Sequence, residues 1–163
     1  MRILFAAFLL LSLIICFTHP AWSGAVDDLK AGVTAAQGGN YDEAIRLFTK
    51  AIESGTLSPE ALSTAYHSRG VAWHSKGTLD NAIADYTKAI EIDPKYADPY
   101  YLRGRAWAHK GDYDKAIADY TKAIEIDPKY ADAYYYRSVA WDKKGDHDKA
   151  KADYAKAKEL GYK

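Results

Sequence analysis

Past residue 24 the apolar positions recur at helical spacing. Between Ala97 and Tyr130, the residues Tyr100, Gly104, Trp107 and Ala108 share one helical face. Gly111 interrupts that face, as a glycine does just beyond a helix C-terminus. Asp112 suits the N-cap of a second helix. Ala116, Tyr120, Ala123 and Ile124 then form an i, i+4, i+7, i+8 stripe, which is an amphipathic helical face. Asp127-Pro128 closes it, because the residue before a proline disfavours the helical conformation. The pattern predicts two antiparallel helices joined by a tight turn, and no strand.

The same unit recurs along the chain. Trp73, Trp107 and Trp141 are spaced by 34 residues, as are Gly77, Gly111 and Gly145, and Tyr86, Tyr120 and Tyr154. The stretch from Ala82 to Asp98 is identical to that from Ala116 to Asp132. Long identity at a fixed offset marks duplication of one structural unit. The units fall at about 25–58, 63–96, 97–130 and 131–163. The first is the most divergent, with Gly32, Gly39, Tyr41, Ala44, Phe48 and Ala51 at the matching places. Ser58-Pro59-Glu60-Ala61-Leu62 is inserted after it. Serine before proline starts a helix well, so the first helix of the second unit should gain about one turn of 3.6 residues.

These residues resemble the tetratricopeptide repeat. Its pattern of two large residues around a glycine, a later alanine and aromatic, and a closing proline is carried here by Tyr66, Gly70, Trp73, Ala82, Tyr86 and Pro94. Tyr100, Gly104, Trp107, Ala116, Tyr120 and Pro128 carry it in the next unit, and Tyr134, Ser138, Trp141, Ala150 and Tyr154 in the last. Tryptophan and tyrosine have exchanged places relative to the family, which keeps ring volume. The resemblance implies an all-α, right-handed superhelical solenoid of four helix pairs, with the three tryptophans packed in one core. The family's leucine is replaced by Arg69, Arg103 and Arg137, each sixteen residues before Asp85, Asp119 and Asp153. The first unit has Ala31 and Leu47 there instead. Arginine and aspartate are gained and lost together, which favours a structural pair between the two helices over a ligand-binding row of arginines.

Ile83, Ile90, Ile117 and Ile124 occupy the second-helix face that a following unit covers. Lys151 and Lys158 replace them in the last unit. A polar outer face is what a terminal repeat needs, so the array is expected to stop here.

The N-terminus reads as an address. Met1-Arg2 precedes an apolar run from Ile3 to Phe17, broken only by Ser12, and Pro20 follows as a helix breaker. Ala21-Trp22-Ser23 places small residues at −3 and −1 of a cleavage site. The run is shorter than the roughly 18–20 residues that span a bilayer, so residues 1–23 are expected to be a cleaved signal peptide and not an anchor. Cys16, the single cysteine, follows Ile15 and serves as an apolar residue of that segment. The expectation is an exported chain, periplasmic or secreted, with no stable membrane span after cleavage.

Charge narrows the function. There are 22 Lys+Arg and 22 Asp+Glu, so no basic excess suits a nucleic-acid partner. No phosphate loop, nucleophile elbow or zinc-protease motif occurs. The chain is therefore read as no enzyme, with no cofactor, no metal and no catalytic residue. The one cluster with chemistry is His67, His74 and His109, which offers a metal- or small-ligand-binding alternative.

In the resembled family the first helices line a concave surface that holds a peptide or partner helix. Position by position this gives His67, Val71 and His74, then Tyr101, Arg105 and His109, then Tyr135, Val139 and Asp142. For any one of them simple exposure is an equal alternative. The second helices repeat identical residues, such as Thr87-Lys88 and Thr121-Lys122, and so offer little to select a register. A protein or peptide partner is thus expected in the groove, centred on Tyr101, Arg105 and Tyr135. The family's carboxylate clamp of lysine and asparagine is not matched. Leu29, Val33, Ser68, Asp98 and Leu102 stand at those places in one register, and His67, Val71, Leu102, Asp132 and Tyr136 in the next.

Overall fold

In the computed structural model, which describes residues 20–163 and side chains from Gly24, eight helices follow one another: α1 Pro20–Gln37, α2 Tyr41–Glu53, α3 Pro59–Ser75, α4 Leu79–Ile92, α5 Ala97–His109, α6 Tyr113–Ile126, α7 Ala131–Lys143 and α8 His147–Glu159. No strand occurs among the described residues. Residues 1–19 of the expected signal segment lie outside them. Pro20 is the first residue of α1, a position where its missing N–H costs nothing. The expected cleavage point therefore falls in the opening turns of that helix.

Local signals set the boundaries. Asn40, Asp112 and Asp146 cap α2, α6 and α8 by accepting from the backbone N–H three residues on. Ser58 does the same for α3 at Ala61, with Pro59 behind it, and α3 runs 17 residues where α5 and α7 run 13. Within each pair the turn is made by a glycine at positive φ, +82° at Gly111. There Gly111 N–H donates to Ala108 and Asp112 N–H to Trp107.

The first three helix pairs each pack on a ring-to-glycine contact. A Cβ at Gly104 would lie 2.8 Å from the Tyr120 ring, one at Gly70 2.7 Å from Tyr86, and one at Gly32 2.7 Å from Phe48. The second helix thus lays its ring directly on first-helix backbone, and Tyr86 and Tyr120 are fully buried. The fourth pair has Ser138 in place of the glycine. Its Cβ denies the ring that site, and none of the described helices covers it, so Tyr154 is 45% exposed. Lys151 and Lys158 are exposed on the same helix.

The tryptophans sit less deeply than the resemblance implied. Trp73, Trp107 and Trp141 are half-buried at the margin of the core, packed against buried clusters around Phe48 and around Tyr120. The rings shed their outer faces to lysines: Lys115 Nζ stands 4.3 Å from the Trp107 centre and Lys149 Nζ 4.4 Å from that of Trp141. The alanine and tyrosine positions fill the centre instead.

Arginine forks tie the pairs together. Arg103 Nε and Nη2 donate to the two oxygens of Asp119, each at 2.8 Å, and its Nη1 donates to Thr87 of the preceding pair at 2.9 Å. Arg69 holds Asp85 and Thr49 in the same way, and Arg137 holds Asp153 and Thr121. Thr87 and Thr121 are therefore not an idle back surface. They join successive repeats, while their own hydroxyls donate to Ile83 and Ile117. The Arg103 and Asp119 side chains are only 19% and 9% exposed, so this pair lies where losing one partner is costly. Asp119→Asn is expected to destabilise the array by about 3–5 kcal/mol, by leaving a buried guanidinium without its counter-charge. Thr87→Val should cost less, about 1–2 kcal/mol. Urea unfolding of both variants measures the difference, and a loss for Asp119→Asn below about 1 kcal/mol would place the pair with ordinary surface bridges.

Candidate functional site: the inner face of the first helices

Curvature follows from which helices meet. Cα atoms of α1 and α3, α3 and α5, and α5 and α7 come within 8 Å of one another, whereas no second helix approaches another among the described elements. The first helices are thus on the inner side of the bend. Their exposed faces carry one register of equivalent positions: Val33, Val71, Arg105 and Val139. The three valines are 42%, 36% and 38% exposed. A small cleft of about 190 Å³ opens beside the first two, lined by Ala36, Gln37, Phe48, His67 and Ser68. A second cleft, at the far end, is lined by Tyr135, Ser138, Val139 and Asp142 with His147, Ala150, Lys151 and Tyr154.

The other predicted groove residues divide. Tyr101 does not present its ring to the surface. It is 8% exposed and packs against Tyr120, Tyr130 and Tyr136 at ring-centre distances of 6.1, 5.0 and 5.8 Å. The apolar neighbours supplied by α6 and α7 draw it into the core, a pull that surface patterning within α5 does not show. Burial also raises its phenol pKa, so it stays protonated. Arg105 is half-buried, with its guanidinium carbon 5.8 Å from the Tyr101 ring centre and 5.1 Å from that of Tyr136. Tyr135 is half-buried and stacked on Tyr162, 4.0 Å between centres at 15°. Asp142 is exposed and lies 2.9 Å from His147 Nδ1.

The histidines do not converge. His67 Nδ1 lies 3.3 Å from the Tyr96 hydroxyl, with its ring 5.1 Å from Tyr96 and 6.3 Å from Tyr86. His74 instead faces His109, ring centres 5.3 Å apart. Among the described residues no three His, Cys, Asp or Glu side chains are placed to hold a metal ion. Burial pushes both His67 and His74 below the ordinary histidine pKa. At His67 the charge of Asp98 opposes it, and at His74 the charges of Arg105 and His109 add to it.

Tyr96, Tyr130 and Tyr136, which shape this face from behind, were missed by pattern reading. Tyr96 and Tyr130 precede the first helices as N-cap residues, outside any amphipathic stripe. Tyr136 has Ser68 and Leu102 as its counterparts, so repetition does not mark it.

Comparison with known proteins now decides the family. Models described as tetratricopeptide or TPR repeats match residues 28–54, 70–111, 97–130 and 119–152. The crystal structure of MamA superposes with a TM-score of 0.77 at 32% identity, over 83% of this chain and 77% of that one. The chain belongs to the tetratricopeptide repeat family. YrrB, described as a TPR protein with an unusual peptide-binding site, is similar in fold, with a TM-score of 0.73 at 24% identity over 85% of this chain and 70% of that one. The second TPR of Spaghetti (RPAP3), bound to the HSP90 peptide SRMEEVD, is 28% identical with a TM-score of 0.59, over 60% of this chain and 91% of that one. The TPR repeat-containing thioredoxin TTL4 of Arabidopsis thaliana is 41% identical over 69 residues, which are 42% of this chain and 9% of that protein. The TPR solenoid found here is the fold of a protein-interaction scaffold. No helix among the described residues is long and apolar enough to cross a membrane.

The depressed histidine pKa values give a pH prediction. A group whose folded pKa is lowered binds protons more readily unfolded, so its stability contribution is complete above the unfolded value of about 6.5 and is lost as pH falls below it. The urea midpoint should therefore drop between about pH 7 and pH 5.5, and His67→Gln should flatten that drop. An identical drop in the variant would remove His67 from the account.

Proposed function

We propose that this TPR array is a non-catalytic, exported scaffold that holds an extended segment of a partner protein along the inner face of its first helices. The observation that carries the reading is the row Val33, Val71, Arg105 and Val139. Three of the large apolar side chains left exposed on this protein share one register on the inner curve. Apolar side chains flanked by polar ones on a concave surface are what a docked peptide buries. RPAP3 holds its peptide on a TPR domain of related sequence, which supports peptide binding as the mode. The mismatch at the lysine and asparagine clamp positions separates this groove from one built for a chaperone tail.

Export rests on the leader pattern of residues 1–23 and its small-x-small exit at Ser23. Mass spectrometry of the protein recovered from its own cells should find Gly24 as the first residue. A chain that retains residues 1–23 in the membrane pellet would make it an anchored scaffold.

For the groove, Val71→Asp and Val139→Asp should each weaken capture of the partner from an envelope fraction by about tenfold, with circular dichroism unchanged. Lys122→Ala, on the second-helix side, should leave capture intact. Equal capture by all three variants moves the contact off the inner face.

A further inference from the structure

The inner row contains a cation without an anion. Among the described residues every other arginine is in an ion pair: Arg46 with Glu43, Arg69 with Asp85, Arg103 with Asp119 and Arg137 with Asp153. Arg105 has no carboxylate partner. It lies instead across the rings of Tyr101 and Tyr136, which hold the planar group in one orientation and offset part of its lost hydration.

Its own Nε is also without a hydrogen-bond partner among the described residues. Four buried side-chain atoms lack a hydrogen-bond partner among the described residues: His74 Nε2, the Tyr86 hydroxyl, Arg105 Nε and the Tyr120 hydroxyl. Buried polar atoms are ordinarily paired. A half-buried guanidinium in the inner row, fixed between two rings and without a counter-charge, is placed to receive a group that accepts hydrogen bonds and carries negative charge.

The arrangement also limits what that is. Arg105 is the one cation in the row, and Asp98, Asp132 and Asp142 lie on its own and the following first helix, so a single negative charge fits better than a dianionic phosphate. Val71 lies on one side of Arg105 and Val139 on the other, so the bound chain continues in both directions. The anion is then an internal side chain and not a chain end.

We propose that Arg105 receives the carboxylate of an aspartate or glutamate within a partner peptide, while Val71 and Val139 take apolar side chains on either side. This rests on the groove reading above. Packed helices stand about 8–10 Å apart and an extended chain rises about 3.3 Å per residue, so the three anchors are about three residues apart. The recognised pattern is apolar, two free positions, acidic, two free positions, apolar.

The test is isothermal titration with N-acetylated, C-amidated peptides carrying leucine at both apolar positions, serine at the free ones, and glutamate, glutamine, lysine or leucine in the centre. The glutamate peptide should bind about tenfold or more tightly than the glutamine peptide, and Arg105→Gln should abolish that preference. The first comparison uses the unaltered protein and does not depend on how any variant folds. Equal binding of the glutamate and glutamine peptides, or a preference that survives Arg105→Gln, overturns the inference. If binding is indifferent to the central residue yet is lost in Val71→Asp, the groove stands and only the role of Arg105 falls. If no peptide binds at millimolar concentration, both fall.

Discussion

A guanidinium fork shared between two repeats is the constraint on which the array depends. Arg69, Arg103 and Arg137 each hold an aspartate of their own pair with two bonds and a threonine of the preceding pair with a third. A planar group with donors in fixed directions sets angle as well as distance. It fixes the crossing of first on second helix, and then the seating of one pair on the next. The exposed bridges that also link neighbouring repeats, Lys76 with Asp42, Lys110 with Asp80 and Lys144 with Asp114, contribute little by comparison because water screens them.

Packing and polarity are coupled through this fork. The aspartate that the arginine grips precedes the buried tyrosine by one residue, as Asp119 precedes Tyr120. Holding the carboxylate therefore also presses the ring onto the glycine backbone opposite. Each terminal pair keeps one of the two devices and lacks the other. In the last pair Ser138 replaces the glycine, Tyr154 is exposed, and Tyr162 stacks on Tyr135 from beyond α8. In the first pair Ala31 and Leu47 stand at the fork positions, and Phe48 on Gly32 carries the packing beside a Lys50–Asp28 ion pair between the two helices.

The fork and the groove are also separated by helical geometry. Arg103 and Arg105 stand two residues apart on α5, which is about 200° around a helix of 3.6 residues per turn. One guanidinium turns toward α6 and the preceding repeat, and the other toward the inner surface. The same residue type thus has opposite duties on one helix: the first is neutralised inside the protein, and the second retains its charge for a partner.

The sequence by itself determined the repeat, the helix pairs, the glycine turns and the longer α3, because each follows from local spacing, caps and conformational preference at a 34-residue period. Within the site it marked Val71, Arg105 and Val139 as inner-face positions, since register is inherited from repeat to repeat. Only the tertiary structure decided which side chains stay on that surface. Tyr101 carries the pattern of an exposed groove residue, but three tyrosines from α6, α7 and the loop between them bury it. The tryptophans carry the pattern of core residues, but lysines and solvent keep their outer faces. The lone charge of Arg105 and its unpaired Nε are equally unreadable in one dimension. Whether a donor has a partner depends on what residues from other helices bring within about 3 Å of it, and that is settled only when the helices stack.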